Sequence, residues 1–385
     1  MNYSVSEIAS CIQKMKDEFI DQLRTIVQIE SPSTAPLTIN PVFNFFENEF
    51  EKLEYQTKRI AGVNTAGQLM AYPISRKKKN PLQLLMGHCD TVWPLGTLDT
   101  MPCNIENGRM NGPGIYDMKA GLMEILFALK ALKSLKLSPS VDPLIFISSD
   151  EEIGSAESKK NILRLSKIAD RCFVLEPSLG LEGKIKTSRK GVGNYIITVN
   201  GKPAHSGLSP EQGSNAILEM SHIIQSLYEL NDPKNGITVN VGTIEGGERV
   251  NVIAARSSIA VDVRIAQLDD AEEIDTAIRS IKPKTEGVKI DVDGEIERPP
   301  MEKTNGTACL WRRAKELGEQ IGITLEEGMS GGASDGNLSN IYTPTLDGLG
   351  AVGDGAHAEH EHILVEKTIE RTILLALLIL EPSLD

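Results

Sequence analysis

LQLLMGHCDTV, residues 82–92, runs from an apolar segment through a glycine to a histidine and an aspartate one residue apart. Its unbroken apolar half reads as a strand buried on both faces, the kind that a parallel sheet covered by helices requires. An imidazole and a carboxylate where such a strand gives out would lie at the edge where open α/β sheets collect their chemistry. One His-x-Asp pair at a strand end is weak by itself, so the reading turns on where the neighbouring strands end.

Two further runs resemble it: PLIFIS at 143–148 and CFVLE at 172–176. Between the first two lies MKAGLMEILFALKALKSL, where Met118, Leu122, Leu126, Leu129 and Leu132 recur at helical spacing; ESKKNILRLSKIA predicts a shorter helix before the third. Strands alternating with helices predict a mixed, largely parallel α/β sheet. Just past the strands come His88 and Asp90, then Asp150, Glu151 and Glu152, then Glu176, while Asp117 stands before the long helix in the glycine-rich GPGIYDMKAG. Carboxylates gathered on one edge repel unless a cation neutralises them, so a metal centre is the economical explanation. More oxygen ligands than one tetrahedral ion can use point to two ions, with a bridging carboxylate holding them roughly 3.5–4 Å apart.

After Gly191 the pattern changes. NYIITVN alternates, with Tyr195, Ile197 and Val199 on one face; a helix follows with Ile217, Met220, Ile224, Leu227 and Leu230 as its apolar stripe. Then come strands ITVNVGT and SSIAVDVRI, a helix around EEIDTAIRSI and the strand VKIDVDG. The order βαββαβ is that of a ferredoxin-like α+β domain. It is expected to occupy residues 190–301 as an insertion, with ERPPMEK as the linker out, leaving 1–189 and 302–385 as the α/β metal domain.

Bulk properties narrow the partners. At 385 residues with 40% apolar content, two domains are expected. A formal charge of −13 argues against nucleic acid, and RKKK at 76–79 sits between strand-like runs as a solvated turn. The amino-terminal segment is charged throughout and reads as neither signal peptide nor anchor, and TILLALLIL is too short to span a bilayer. Cys11, Cys89, Cys103, Cys172 and Cys309 are scattered and odd in number, which suits a reducing cytoplasm; Cys89, inside the His-x-Asp pair, reads as a packed thiol.

Taken in order, GHCDTV, NGPGIYDMKAG, SSDEEIGS, VLEPS, GKPAHSG, NVIAARSSIAVDVR, GGASDG and GDGAHAEHE resemble the successive signatures of the M20 dinuclear zinc peptidases and amidohydrolases across nearly the whole chain. The resemblance implies a zinc-peptidase catalytic domain carrying a lid and dimerisation domain. It implies that His88 and Glu176 bind one zinc, that Glu152 and His357 bind the other, and that Asp117 bridges both. Glu151 would be the general base, and Asp90 would orient His88, which gives the opening His-x-Asp spacing its purpose. A cis peptide after Asp117 is expected on the same ground. Cobalt or manganese would suit this ligand set as well. His360 and His362 read as surface residues, and His222, within an amphipathic helix, as structural.

The implied chemistry is hydrolysis of an amide by a metal-activated water, with Glu151 carrying the proton to the leaving nitrogen. His205 in GKPAHSG corresponds to the histidine that stabilises the oxyanion from the partner subunit, so a homodimer is expected. Arg264 faces outward on SSIAVDVRI with Ala260 and Asp262, and corresponds to the arginine that takes the free substrate carboxylate; Asn251 is its companion, and the amides of Gly331 and Gly332 are expected to help. Ala254 departs from the family pattern, which has proline there, and bears on the positioning of Asn251. The leading expectation is a glutamate-carboxypeptidase-like enzyme acting on small peptides or N-acyl amino acids. The alternatives are a deacylase of the acetylornithine, succinyl-diaminopimelate or aminoacylase type, a dipeptidase, and a binding homologue that has lost catalysis.

Overall fold

The computed structural model describes residues 4–384. They form two compact units, one of 4–188, 303–330 and 334–384, the other of 189–302 with 331–333. The tripeptide 331–333 groups with the second unit, where the Arg189 guanidinium donates to the Gly332 carbonyl at 3.1 Å.

The first unit is built on a mixed six-stranded sheet in the order Tyr55–Ile60, Gln68–Pro73, Asp142–Ser148, Leu82–His88, Arg171–Val174, Thr345–Leu346. The first two pairings in this order are antiparallel and the last three parallel. Every residue of Leu82–His88, Asp142–Ser148 and Arg171–Val174 is buried, as strands covered on both faces must be. Helix Ala120–Ser134 is apolar nearly all round, with Leu122, Leu126, Leu129 and Leu132 buried, and packs against Val365–Leu380. Phe19 and Phe127 meet edge to face with ring centroids 5.1 Å apart.

In the second unit four antiparallel strands run in the order Thr238–Gly246, Arg256–Ile265, Gly191–Asn200, Lys289–Arg298, with helices Ala216–Tyr228 and Asp269–Arg279. This is the ferredoxin-like arrangement. Tyr195, Ile197 and Val199 share one buried face with Ile259, Val261, Val263 and Ile265. Of the expected helical stripe, Met220 and Leu227 are buried and Ile224 and Leu230 pack against the core, whereas Ile217 is 44% exposed and Ile223, outside the expected stripe, is buried at 1% exposure. The helix starts at Ala216, capped by the Asn215 side chain, so Ala216, Met220, Ile223 and Leu227 form the inward row. Among the described residues no helix is long and apolar enough to cross a membrane.

Candidate metal centre

Parallel register brings the strand ends together. His88 lies opposite Ser148, and Met86 opposite Val174, so Asp90, Asp150 and Glu176, each two residues past the paired position, emerge on one sheet edge. Gly87 precedes His88 because a β-carbon there would come 2.6 Å from the Met118 methyl and 2.7 Å from a Leu122 methyl. Asp117 enters from the turn that starts the Ala120–Ser134 helix, and the Asp117–Met118 peptide is cis.

Asp117 stands between two imidazoles. Its Oδ1 is 3.1 Å from His88 Nε2 and its Oδ2 is 3.6 Å from His357 Nε2. His88 Nε2 is also 3.4 Å from Glu176 Oε1, and His357 Nε2 is 3.2 Å from Glu152 Oε2. Ligand atoms of His88, Asp117 and Glu152 lie within 4.8 Å of one another, as do those of His88, Glu151 and Glu176. His357 adopts φ of 60°, a left-handed conformation uncommon for a residue with a β-carbon.

The other nitrogen of His88 is engaged behind the cluster. Its Nδ1 is 3.0 Å from the Asp90 carbonyl and 3.4 Å from the Asp90 carboxylate, which leaves Nε2 directed at Asp117 and Glu176. Asp90 does more than face this ring. Its carboxylate accepts the backbone N–H groups of Glu151 at 3.3 Å and Glu152 at 3.2 Å, and the Ser33 hydroxyl at 2.8 Å. A single buried side chain thus ties the end of one strand to the acidic pair after the next.

The electrostatics fit a cation site. Burial acts to lower the His88 pKa, yet hydrogen bonds to Asp117, Asp90 and Glu176 hold it well above the ordinary histidine value. Hydrogen bonds to Asp117 and Glu152 raise His357 to about 10. Burial pushes the Glu152 carboxyl up, and its Oε1 is buried with no hydrogen-bond partner among the described residues. Carboxylates that raise the pKa of two imidazoles, beside a buried carboxylate oxygen with no partner among the described residues, are matched in charge and donor type to divalent cations.

Residues outside the expected set complete the site. Glu361, fully buried, accepts the backbone N–H groups of Gly114, Tyr116 and Asp117 at 2.9, 2.9 and 3.1 Å, and the indole N–H of Trp93 at 2.7 Å. It holds the turn that carries Asp117, and only its place at the end of GDGAHAEHE hinted at this. His362 is not a surface residue: it is 6% exposed, paired opposite Asn111 in a short strand, with Nδ1 2.9 Å from the His360 carbonyl. His360 is exposed, as expected.

His205, Asn251 and Arg264 belong to the second unit. Segments around His205 and Asn251 pair there: His205 bridges Val252, the Ser206 N–H donates to the Asn251 carbonyl at 3.1 Å, and the Ile253 N–H to the Ala204 carbonyl at 2.9 Å. This pairing supports the Asn251 turn without a proline at 254; Ala254 is buried, and its carbonyl accepts the Ala216 N–H. His205 is exposed, its Nδ1 accepting the Gly207 N–H. Arg264 is gripped by Asp262 two residues earlier on the same face, Nε to Oδ1 at 2.9 Å and Nη2 to Oδ2 at 2.8 Å.

Comparison with known proteins extends this picture. Residues 187–286 match the family model of the peptidase dimerisation domain. Carboxypeptidase G2 of Pseudomonas sp. is 28% identical over 372 residues, 93% of this chain and 87% of that protein. The structure of the aminopeptidase PepT from Bacillus cereus aligns with TM-score 0.76 at 22% identity, covering 94% of this chain and 98% of that one. A dinuclear metal binding peptidase of the M20 family from Bacillus subtilis aligns with TM-score 0.69 at 13% identity, covering 94% of this chain and 98% of that one. The inserted unit is matched as a peptidase dimerisation domain, and the chain around it follows a carboxypeptidase through nearly all of its length: the chain belongs to the M20 family of peptidases.

Proposed function

We propose that this peptidase is a carboxypeptidase of the glutamate-carboxypeptidase type, which cleaves the amide bond joining an acyl or peptidyl group to an amino acid with a free carboxylate. The observation that carries the reading is the Asp117 carboxylate between the Nε2 atoms of His88 and His357, with Glu152 and Glu176 on the outer sides. His88 and Glu176 would hold one divalent ion, Glu152 and His357 a second, and Asp117 both; zinc is proposed, with cobalt and manganese as ions the same donors accept. Such ions lower the pKa of a coordinated water to about 7 and polarise a carbonyl.

The chain's own groups do the rest. Glu151 takes the proton from the attacking water and returns it to the leaving nitrogen, so it must keep an oxygen for that work. Asp90 fixes the His88 ring and, through two backbone N–H groups, the place of Glu151 and Glu152. Arg264, with Asn251 and the amides of Gly331 and Gly332, receives the substrate carboxylate; the planar fork suits that group. His205 stabilises the developing oxyanion, and in this reading His205 and Asn251 act in the partner's site of a homodimer. Five free cysteines agree with a cytoplasmic setting.

The test is hydrolysis of a panel of N-acyl and peptidyl amino acids by the zinc-loaded protein, with Glu151→Ala as the blank. Cleavage that follows a carboxyl-terminal glutamate and vanishes in the variant supports the carboxypeptidase. Turnover that follows the acyl group instead would replace it with a deacylase.

A further inference from the structure

Arg371 lies on the Val365–Leu380 helix with 3% of its surface exposed, and its Nη1 is buried without a hydrogen-bond partner among the described residues. Glu124, on the helix packed against it, is fully buried, and neither of its carboxylate oxygens has a hydrogen-bond partner among the described residues. The two attract each other, but they do not hydrogen-bond. A guanidinium offers five donors in a plane, and burying it without acceptors is costly, so such a group in a native fold calls for a missing acceptor.

The surroundings leave room for one. Arg371 lines a cavity of about 260 Å³ with Lys367, Glu182, Glu370 and Val352. Gly183 packs against this guanidinium, where a β-carbon would come 2.6 Å from Arg371 Nη2 and 2.9 Å from a Val352 methyl. Burial lowers the Arg371 pKa only to about 10, leaving it charged at neutral pH, and drives the Glu124 carboxyl well above its ordinary value. Glu124 makes no hydrogen bond to the guanidinium among the described residues, so it leaves the Arg371 donors unmatched. Glu182 and Glu370 on the wall disfavour a dianion, whereas a planar monoanion matches the fork. At about 30 Å³ per water, the space holds a small carboxylate with waters around it.

We propose that this cavity is a binding site for a small carboxylate monoanion of the formate or acetate class, held by the Arg371 guanidinium. All of its residues lie in the first unit, and the site is independent of the metal ligands and of the activity proposed above.

The experiment is thermal unfolding of the full-length, metal-loaded protein as sodium formate or acetate replaces sodium chloride at constant ionic strength. A saturable rise in Tm on the order of 2 °C is expected for the wild type, and none for Glu124→Leu/Arg371→Met, which replaces both buried groups with apolar ones. No rise in the wild type would mean that water alone fills the gap. An equal rise in the double variant would place the carboxylate elsewhere, on the metals for instance. Should the double variant fail to fold, Arg371→Lys decides: a midpoint shifted at least about tenfold upward supports the fork, and an unchanged one refutes it.

Discussion

The Glu361 carboxylate accepts the backbone N–H of Asp117 at 3.1 Å, so the residue that faces both histidines is positioned through its own main chain by a side chain 244 residues away. Glu361 also accepts the N–H groups of Gly114 and Tyr116 in the same turn, and the Trp93 indole from a separate segment. Glu361→Ala would leave these buried donors unpaired, at about 1–3 kcal/mol for each that water cannot reach. The expected result is a lower Tm and metal affinity reduced roughly 10–100-fold. Metal content after dialysis against graded chelator measures it; unchanged content would show that the turn holds its shape without Glu361.

Asp90 joins His88 to the acidic pair after the neighbouring strand. Asp90→Asn retains the shape but turns an acceptor for two backbone N–H groups and a hydroxyl into a half-donor. Its kcat is expected to fall with KM nearly unchanged, because Glu151 is displaced while the substrate contacts are untouched. A rise in KM alone would be the contrary outcome.

Gly121 approaches backbone: a β-carbon there would lie 2.0 Å from the Leu175 carbonyl oxygen, one residue before Glu176. Gly121→Ala must push helix from strand, and both carry proposed ligands. Loss of one of two metals, read by elemental analysis, together with destabilisation of about 1–3 kcal/mol, is expected. Full metal retention at wild-type Tm would show that the contact relaxes freely.

Arg264 has its Nε and Nη2 edge occupied by Asp262, leaving Nη1 and the second Nη2 proton for a ligand. Arg264→Lys keeps the charge and loses this shared geometry, so KM should rise about tenfold or more for substrates with a free carboxylate. Substrates amidated at that carboxylate should be equally poor for both proteins. A KM unaffected by the change would remove Arg264 from substrate recognition.

Cys172 is fully buried in the Arg171–Val174 strand, and burial pushes its thiol far up. In the unfolded chain it ionises near pH 8.5. Above that pH the unfolded state sheds a proton that the folded state keeps, so stability is retained below about 8.5 and declines as pH rises. The slope attributable to this thiol approaches about 1.4 kcal/mol per pH unit. Denaturant unfolding at pH 8 and pH 10 should show a smaller loss for Cys172→Ala than for the wild type; parallel losses would assign the alkaline sensitivity to other groups.

The elements nearest the centre were legible because they follow local rules. Apolar runs ending in His88, Ser148 and Glu176 announced buried strands, and period-two alternation in residues 191–200 and 256–265 announced a sheet with one covered face. Along Ala216–Tyr228 only Ile217 was misplaced, since Ile217 and Ile223 are equally apolar and residue chemistry does not say which of them faces the sheet. Ser33 and Trp93 carried no usable signal of their roles, and Glu361 only its place at the end of GDGAHAEHE, because a carboxylate that accepts backbone N–H groups across 244 residues leaves no spacing to read.

By itself, the sequence determined which donor atoms the chain carries and that strands and helices must alternate around them, since pattern and residue chemistry are local properties. Tertiary structure alone decided that Asp117 faces both His88 and His357, that Asp90 grips the backbone of Glu151 and Glu152, and that Arg371 is buried beside Glu124 without a bond to it. Those relations depend on strand register and helix packing, where shifts of an ångström determine whether two polar groups bond or merely attract.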